Sequence, residues 1–452
     1  MRSANFCILM LMAVAVPMVA LSEERNKRSE GYNKASGKDF VNAKPDLGKP
    51  FPELTVHTPD GQEFETASLR GHYTLVVLGC LTCPPFLGNV AGLEAVYRDY
   101  KPKGVRMYFV YRNVAHPELR GNYLQTFTLD ERLAHSRQAI KQLRATIPWL
   151  VDPMDNRLKN ALGNRANSEF LIDPQGKIVR KRMWSDPVEV RKDLEELVGK
   201  VDRITNPEDL NLEVKPTISE TAPRGVTERL SRAGMWPLVM EPQFEKGGEP
   251  FYAKLRAEAD LSLLDNGKGK LYLGFHLDPL YSVHWNKLNK PLRFEIKLPD
   301  GASFSATAGE ALAVDADADC DPREFLIDVE KWSANQSVEV TVSYAACTKT
   351  ECHLVRQVYV VTRERDRDGG RAGPAGFRGV LTAEAMIKIL LEGDQNGDGQ
   401  LTRLEINSVQ RGSFVEHDTN GDGVLDQSEI QSLAKEAVQF LPDTKRGAQA
   451  RE

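Results

Sequence analysis

Residues 73–100, YTLVVLGCLTCPPFLGNVAGLEAVYRDY, decide the fold of the first half of the chain. The opening YTLVVLG is a short apolar run, which is typical of a buried strand. The closing FLGNVAGLEAVYRDY carries apolar side chains at helical spacing. Between them stand Cys80 and Cys83, followed by Pro84 and Pro85. Because proline is tolerated in the first turn of a helix, this pattern predicts that a helix begins directly after Cys83.

The positions of the two cysteines predict different chemical roles. Cys83 lies at the predicted helix N-terminus, where unpaired N–H groups and the helix dipole stabilise a thiolate and lower its pKa. Cys80 lies at the end of the strand, away from those donors. We therefore predict that Cys83 is the nucleophile and Cys80 the resolving cysteine of a redox pair. The alternative is an inert structural disulfide between them.

The surrounding residues, 45–200, alternate between strand and helix patterns. A second strand pattern, VRMYFVY, precedes a second amphipathic pattern, LDERLAHSRQAIKQLRA. Next come WLVD, the short helix pattern NRLKNALG, the strand patterns SEFLID and KIVRKRMW around a Pro-Gln-Gly turn, and the helix pattern VEVRKDLEELVG. A strand–helix–strand unit followed by a hairpin and a helix predicts a mixed α/β sandwich.

Residues 225–362 have a different pattern, with several strand-like runs at short spacing, which predicts an all-β sandwich. The runs include AKLRAEADLSL, GKLYLGFHL, PLRFEIKL, ASFSATA, QSVEVTVSYAAC and HLVRQVYVVTRE. Residues 201–224 and 363–377 are predicted linkers, the second being charged and rich in glycine. Cys347 and Cys352 lie between two strand patterns, and a four-residue hairpin loop is expected to bring them within bridging distance.

The first residues of the chain predict export. One arginine precedes the apolar run CILMLMAVAVPMVAL, and Ala20-Leu21-Ser22 fits a small-x-small cleavage site. The run is too short for a comfortable membrane span and charged residues follow it. We therefore expect a cleaved signal peptide at residues 1–22, a flexible leader at 23–44, and a periplasmic or secreted protein. A retained amino-terminal anchor is the alternative.

Composition and cysteine content narrow the function further. The chain has 452 residues and a net charge of -5, so it shows no basic footprint for nucleic acid. No later segment is apolar enough to span a membrane. Outside the reducing cytosol, the five cysteines beyond the signal are expected to be disulfides or redox-active thiols. Cys320 has no close partner in sequence and is predicted to be the one left over.

Two acidic loops within residues 378–441 match the twelve-residue EF-hand pattern. Positions 1, 3 and 5 supply side-chain oxygens, position 6 is glycine, position 7 offers a backbone carbonyl and position 12 is a bidentate glutamate. The predicted Ca²⁺ ligands are Asp394, Asn396, Asp398, Gln400, Thr402 and Glu405 in the first loop, and Asp418, Asn420, Asp422, Val424, Asp426 and Glu429 in the second. Leu401 and Leu425 are expected to join the loops through a short β contact. The alternative is an acidic linker that binds nothing.

The first region resembles known families. FPELTVHTPDGQEFETASLRGHYTLVVLG is similar to the opening of thioredoxin-like proteins of the AhpC/TSA peroxiredoxin group. Thr82-Cys83-Pro84-Pro85-Phe86 resembles the iodothyronine deiodinase motif, in which selenocysteine occupies the position of Cys83. Tyr111 and Ala115-His116-Pro117 are similar to further parts of that family. The resemblance implies a thioredoxin-like fold, a reactive Cys83 and a functional His116. The alternative for His116 is a surface or packing histidine.

The middle region also resembles a family. YSVHWNKLNKPLRFEIKLPDG and YAACTKTEC are similar to the amino-terminal domain of the thiol:disulfide interchange protein DsbD. The resemblance implies an immunoglobulin-like sandwich on which Cys347 and Cys352 pass reducing equivalents. A plain structural disulfide is the alternative.

We therefore predict a multidomain protein: an α/β thioredoxin-like sandwich, an all-β immunoglobulin-like sandwich, and an all-α EF-hand pair. Its predicted function is that of an exported thiol–disulfide oxidoreductase or thiol-dependent reductase that binds two Ca²⁺ ions. The expected partner is a protein or small molecule bearing a thiol or disulfide. Two alternatives remain: a calcium-stabilised binding or scaffold protein with purely structural cysteines, and a deiodinase-like reductive dehalogenase.

Overall fold

The structure is a computed structural model, and it describes residues 40, 44–115, 117, 123–212, 221–230, 232, 235–366, 383–391, 398–402 and 414–439. The predicted signal peptide and nearly all of the predicted leader lie outside these residues. Among the residues described, no helix is both long and apolar enough to cross a membrane.

The first region is built on a seven-stranded mixed sheet whose strand order is β2-β1-β5-β4-β3-β6-β7. The strands are β1 Thr55–His57, β2 Glu63–Glu65, β3 Thr74–Gly79, β4 Arg106–Tyr111, β5 Trp149–Val151, β6 Glu169–Ile172 and β7 Ile178–Arg182. Strands β3, β4 and β5 are parallel, whereas β6 and β7 form the predicted antiparallel hairpin.

Helices cover both faces of this sheet. They are α1 Pro84–Tyr100, α2 Leu129–Leu143, α3 Arg157–Ala161 and α4 Pro187–Val198. Side chains of a strand point alternately to opposite faces. Leu75 and Val77 of β3 accordingly join the core formed with α1, α2 and α4, while Val76 and Leu78 join the core that contains residues of α3. Burial on both faces explains why β3 is apolar throughout.

The second region, called the β-rich region below, is a nine-stranded antiparallel sheet with the order β12-β14-β10-β9-β8-β16-β15-β11-β13. Its elements are β8 Met235–Gln243, β9 Ala253–Asp260, helix α5 Leu261–Asn266, β10 Gly269–Leu277, β11 Arg293–Lys297, β12 Ser303–Phe304, β13 Ala308–Glu310, β14 Arg323–Lys331, β15 Ser337–Cys347 and β16 Cys352–Arg365. Strand β8 pairs with β9 through its first residues and with β16 through the rest. One apolar core contains residues from both halves of the sheet.

Several boundaries in this region differ from those predicted. The predicted strand AKLRAEADLSL ends at Asp260, because the Asp260 carboxylate accepts the Leu263 N–H and caps α5. The predicted strand ASFSATA is divided between β12 and β13. Strand β16 continues to Arg365, so the start of the predicted linker 363–377 belongs to the sheet. In the predicted linker 201–224, Thr205 hydrogen-bonds Asp99 of α1.

Strands β8 and β14 were not predicted. Strand β8 contains Pro237 and Pro242, and proline normally indicates a break or an edge. The sheet tolerates these prolines because β8 changes partner from β9 to β16, and the register of its pairing with β16 shifts. Strand β14 is rich in charged residues, but its Ile327 and Val329 are buried while charged neighbours face solvent.

The described part of the last region contains α6 Ala383–Leu391, β17 Leu401–Thr402, α7 Phe414–His417, β18 Val424–Leu425 and α8 Gln427–Gln439. Strands β17 and β18 pair antiparallel with Leu401 opposite Leu425, which confirms the predicted contact between the two loops. Both leucines are fully buried in a small core with residues of these helices. Of the predicted ligands in the first loop, Asp394, Asn396 and Glu405 lie outside the described residues.

A buried polar cluster joins the first two regions. Lys254 of β9 donates to the Glu131 carboxylate and to the Gln125 carbonyl, both at 2.8 Å, and it forms an ion pair with Asp278 at 2.6 Å. The Tyr281 hydroxyl donates to the other oxygen of Glu131 at 2.6 Å. These contacts hold the start of α2 against the β-rich region.

Candidate active site

Cys80 and Cys83 lie at the junction between β3 and α1. Cys83 is the N-cap residue of α1, so the helix begins where the prolines predicted. Its N–H lies 3.3 Å from the Cys80 carbonyl, and its own carbonyl accepts the Leu87 N–H at 3.0 Å. Both residues carry thiols and both are almost completely buried, with exposures of 0% and 1%. The backbone turn therefore holds two thiols side by side at the end of the sheet.

The segment that follows β4 covers Cys80. The Ala115 N–H donates to the Cys80 sulfur at 3.3 Å, and the Thr82 hydroxyl lies 3.3 Å from the same sulfur. The side chain of Gln125 holds the segment in place through hydrogen bonds with the N–H and the carbonyl of Val114. Cys80 is thus fully buried and hydrogen-bonded by this segment.

Arg112 is the positive group of the site. It is buried, and its guanidinium donates to the carbonyls of Ala166 at 2.8 Å and Asn113 at 2.6 Å. Its positive charge also acts on the Cys83 sulfur and favours the thiolate. The prediction from sequence missed Arg112. A usable signal was present, because Arg112 follows a strand parallel to β3 and the carboxyl ends of neighbouring parallel strands meet at one edge.

The prediction that Cys83 has a lowered pKa is wrong for this closed site. Burial raises the pKa of the Cys83 thiol to about 12, and the neighbouring Cys80 acts in the same direction. Arg112 and the Phe86 N–H oppose this rise but are outweighed. The helix N-terminus is present as predicted, but removal of water from the sulfur raises the pKa by more than the helix N–H donors lower it.

Two further buried rings belong to this part of the domain: Tyr111, which the family resemblance had singled out, and His135, which the sequence analysis missed. Burial raises the pKa of Tyr111 well above its ordinary value, and the Cys80 sulfur contributes in the same direction. Burial lowers the pKa of His135 to about 3, so this imidazole is neutral. The His135 ring packs edge-on against Tyr111 and Tyr123, at centroid distances of 6.0 and 5.4 Å. His116, the histidine predicted to act, lies outside the described residues, and its role stays a prediction.

Comparison with known proteins identifies the domain that carries this pair. The sequence model of the AhpC/TSA family matches residues 47–181. Residues 47–181 form an AhpC/TSA thioredoxin-like domain. The match includes both cysteines and Arg112, and it agrees with the predicted thioredoxin-like fold. A search of the curated proteins found no significant match.

Solved structures similar to this domain include three thiol–disulfide proteins. The thioredoxin domain of a thiol-disulfide oxidoreductase from Bacteroides vulgatus is 20% identical, with coverage of 34% of this chain and 97% of that chain and a TM-score of 0.26. A thiol:disulfide interchange protein from Bacteroides sp. is 21% identical, with coverage of 35% and 93% and a TM-score of 0.28. A secreted disulfide oxidoreductase from Mycobacterium tuberculosis is 12% identical, with coverage of 32% and 96% and a TM-score of 0.26.

Gly79 of the thioredoxin-like domain provides a test of the packing beneath the pair. A Cβ atom at Gly79 would overlap the Phe86 ring, and Phe86 is fully buried against Phe109 and Trp149. We expect Gly79→Ala to lower the free energy of unfolding by about 1–3 kcal/mol, because the ring cannot move without disturbing the core. Urea denaturation checks this. Gly71→Ala is not a suitable control, because Gly71 has a φ of +91°, which alanine rarely adopts. Ala67→Gly is the control instead, and it is expected to change the midpoint only slightly. An unchanged midpoint for Gly79→Ala would contradict the tight packing.

The second cysteine pair lies in the β-rich region. Cys347 and Cys352 stand opposite each other at the β15–β16 hairpin and form a disulfide, with a Cα–Cα distance of 3.9 Å. This confirms the predicted bridging distance. Cys347 is fully buried, whereas Cys352 is an exposed residue. Cys320 keeps its thiol, as predicted, in a buried position 3.4 Å from the Thr221 hydroxyl.

The second acidic loop has the turns that the EF-hand pattern requires. Gly423, at the sixth position, has a φ of +84°, which is the left-handed conformation that glycine adopts readily. The Asp418 carboxylate accepts the N–H groups of Gly421 and Gly423. Burial raises the pKa of Glu429, but hydrogen bonds from Asp426 and Thr419 outweigh it and lower the pKa below its ordinary value. The acidic side chains therefore bind backbone donors, and within the described residues no group of three or more His, Cys, Asp or Glu is arranged to hold a metal ion.

Proposed function

We propose that the protein is a thiol–disulfide oxidoreductase in which Cys83 attacks and Cys80 resolves. The observation that supports this most is the pair itself: two unbridged thiols at the start of α1, beside the guanidinium of Arg112, in an AhpC/TSA thioredoxin-like domain. The partner class is a protein or small molecule that carries a disulfide or thiol.

The reaction conserves electrons in two steps. The Cys83 thiolate attacks one sulfur of the partner's disulfide, and the bond between the partner's sulfurs breaks to release a thiolate. The Cys80 thiolate then attacks the Cys83 sulfur of the mixed disulfide, which releases the second partner thiolate and leaves a Cys80–Cys83 disulfide. Two electrons have passed to the partner. A dithiol donor reverses the same steps to restore the thiols.

Activation of Cys83 requires the site to open. In the closed site burial dominates and keeps the thiol protonated. Movement of the segment at Ala115 would admit water and remove most of that penalty, while Arg112 and the Phe86 N–H would remain beside the sulfur. Opening therefore converts a shielded thiol into one whose surroundings favour the thiolate. A cavity of about 300 Å³, lined by Asn113 and by residues of the β-rich region, adjoins this segment.

A redox titration tests the proposal. The full chain is equilibrated in glutathione buffers of increasing oxidising strength, quenched with acid, alkylated and analysed by mass spectrometry. We expect Cys80 and Cys83 to convert together and reversibly between two thiols and one disulfide. A pair that stays reduced, or that adds glutathione without closing a disulfide, would exclude the proposed exchange.

A second candidate is the calcium-stabilised binding or scaffold protein. The raised pKa and the burial of Cys83 favour it, because a structural thiol has no need of a thiolate. It predicts that the titration above finds no conversion at Cys80 and Cys83. The deiodinase-like hypothesis stays a prediction from the motif around Cys83, and release of iodide from iodinated phenols tests it.

Cys347 and Cys352 are proposed to exchange electrons with the pair in the thioredoxin-like domain. The position of Cys352 as an exposed residue supports a role beyond structure. In Cys80→Ser protein the mixed disulfide cannot be resolved, so a trapped bond from Cys83 to Cys352 or Cys347 is expected in the peptide map. Absence of this bond at every redox poise would exclude transfer between the pairs. The disulfide also supports the proposed export, because such bonds persist in oxidising compartments.

We also propose that the two acidic loops bind Ca²⁺. The oxygen donors of the second loop fit a hard cation, since Asp418, Asp422, Asp426 and Glu429 offer carboxylates and Val424 a carbonyl. When bound, Ca²⁺ would supply charge that holds these groups together. Affinity near 10⁻⁴ to 10⁻³ M is expected, as in extracellular modules.

Glu429→Gln tests the calcium proposal. Loss of one bidentate carboxylate is expected to weaken Ca²⁺ binding roughly tenfold or more at one of two sites, measured by titration calorimetry on the full chain. Glu364→Gln, an exposed residue of β16, is the matched control and is expected to bind as the unaltered protein does. Equal binding by both variants would contradict the assignment of the second loop.

A further inference from the structure

Two asparagine side chains contact the disulfide of the β-rich region. The Asn286 Nδ2 atom lies 3.1 Å from the Cys347 sulfur and 3.5 Å from the Cys352 sulfur. The Asn289 Nδ2 atom lies 3.4 and 3.3 Å from the same two sulfurs. Four contacts between amide donors and sulfur therefore converge on one bond.

The hydrogen bonds around these side chains determine which end of each amide faces the sulfurs. The Asn286 Oδ1 atom accepts the N–H groups of Leu288 at 3.1 Å and Asn289 at 3.2 Å. It also accepts the Asn289 Nδ2 group at 2.8 Å. With its oxygen occupied by three donors, Asn286 presents its NH₂ group to the disulfide, and so does Asn289.

The backbone holds the donors close to the cysteines. His284 and Cys347 exchange two backbone hydrogen bonds, at 2.8 and 3.0 Å. Trp285 is tied in the same way to Asp319, at 2.9 and 3.1 Å. The two residues before Asn286 are thus fixed by isolated β-bridges, one of them to Cys347 itself. This arrangement keeps the amides in position before any reaction begins.

We propose that Asn286 and Asn289 form an amide clamp that stabilises the Cys347 thiolate and makes this disulfide an acceptor of electrons from a dithiol protein. The inference rests on the proposed redox role of Cys347 and Cys352 and names further residues that serve it. A neutral disulfide gains little from N–H donors, whereas a thiolate gains a charge-assisted hydrogen bond from each. The clamp therefore favours the reduced state.

The chemical step follows from burial. A partner thiolate attacks the sulfur of the exposed residue Cys352, the Cys347–Cys352 bond breaks, and its electron pair passes to the Cys347 sulfur. The amides of Asn286 and Asn289 already face that sulfur. A second thiolate of the partner then attacks the partner sulfur in the mixed disulfide and releases Cys352 as a thiolate, which takes up a proton. The partner is oxidised by two electrons and the pair is reduced.

Asn286→Ala and Asn289→Ala test the clamp in full-length protein that also carries Cys80→Ser and Cys83→Ser. The readouts are the equilibrium constant for reduction by dithiothreitol and the pH dependence of Cys347 alkylation after reduction. Each variant is expected to lower the equilibrium constant roughly tenfold and to raise the pKa of Cys347 by about one unit, since each removes a hydrogen bond to a charged atom. Asn289→Asp serves if an alanine variant folds poorly, because it keeps the shape of the side chain but replaces the NH₂ donor. It is expected to change the equilibrium constant and the pKa of Cys347 by at least as much.

Asn335→Ala, in an exposed turn of the same region, is the control and should leave both readouts unchanged. The charged neighbours Lys287, Glu351 and His353 are retained in every variant and are therefore common to all the proteins compared. If the disulfide exchanges normally and the asparagine variants behave like the control, the clamp alone is overturned. If dithiothreitol cannot reduce the pair in the folded protein, the proposed redox role of the pair and the clamp both fall.

Discussion

Cys83→Ser is expected to abolish disulfide exchange by the thioredoxin-like domain, with a loss of roughly a thousandfold or more, because a hydroxyl is a far weaker nucleophile than a thiolate. Cys80→Ser should keep the first attack and accumulate a mixed disulfide at Cys83. The measurement is reduction of a disulfide-linked protein substrate, followed by peptide mapping of the trapped species. Cys320→Ser, which changes a buried thiol outside the domain, should retain full activity.

The trapped species distinguishes the two possible orders of attack. We assign the first attack to Cys83 because Arg112 and the Phe86 N–H both favour the thiolate at its sulfur. If Cys83→Ser protein instead traps the substrate on Cys80, the assigned roles are reversed.

The pH dependence of the same reaction reports the raised pKa of Cys83. The thiol of the closed site has a pKa of about 12, so its thiolate fraction increases with pH throughout the neutral range. We expect the rate of the first attack by Cys80→Ser protein to rise about tenfold per pH unit from pH 7 to 9, as thiolate chemistry requires below the pKa. A plateau below pH 8 would show that the resting site already holds a thiolate. Activity of Cys83→Ser protein, measured alongside, gives the background.

Lys254→Ala is expected to cause the largest loss of stability, about 3–5 kcal/mol, because it leaves two buried carboxylates without their cation. Glu131 and Asp278 are each almost fully buried, and Lys254 is the amine that joins them. The free energy of unfolding in urea measures the change. Lys270→Ala removes an exposed pair with Asp328 and should change it by less than about 1 kcal/mol.

The same substitution connects stability to the candidate site. Lys254 also binds the Gln125 carbonyl, and the Gln125 side chain holds the segment that covers Cys80. If Lys254→Ala loses no more stability than Lys270→Ala, the cluster does not hold the two regions together.

The features predicted from sequence are those that depend on neighbours along the chain. The start of α1 was predicted from the apolar strand, the CxxC turn and the prolines. The meeting of Cys347 and Cys352 was predicted from the hairpin loop between them. The contact between Leu401 and Leu425 followed from the loop pattern in the same way. Strand β8 was not predicted because it contains prolines. They are tolerated there because β8 changes its pairing partner from β9 to β16 along its length, which the sequence does not show.

The state of the site was decided by tertiary structure. The sequence by itself determined that Cys83 stands at a helix N-terminus, because prolines and apolar spacing act over a few residues. Only the fold decided that its pKa is raised, because desolvation depends on every atom packed around the sulfur. Long-range packing likewise brought the charge of Arg112 close enough to act on Cys83 and placed the two asparagine amides against the second disulfide. Sequence patterns assign residues to local elements, whereas the charge that a buried group can carry is set by long-range packing.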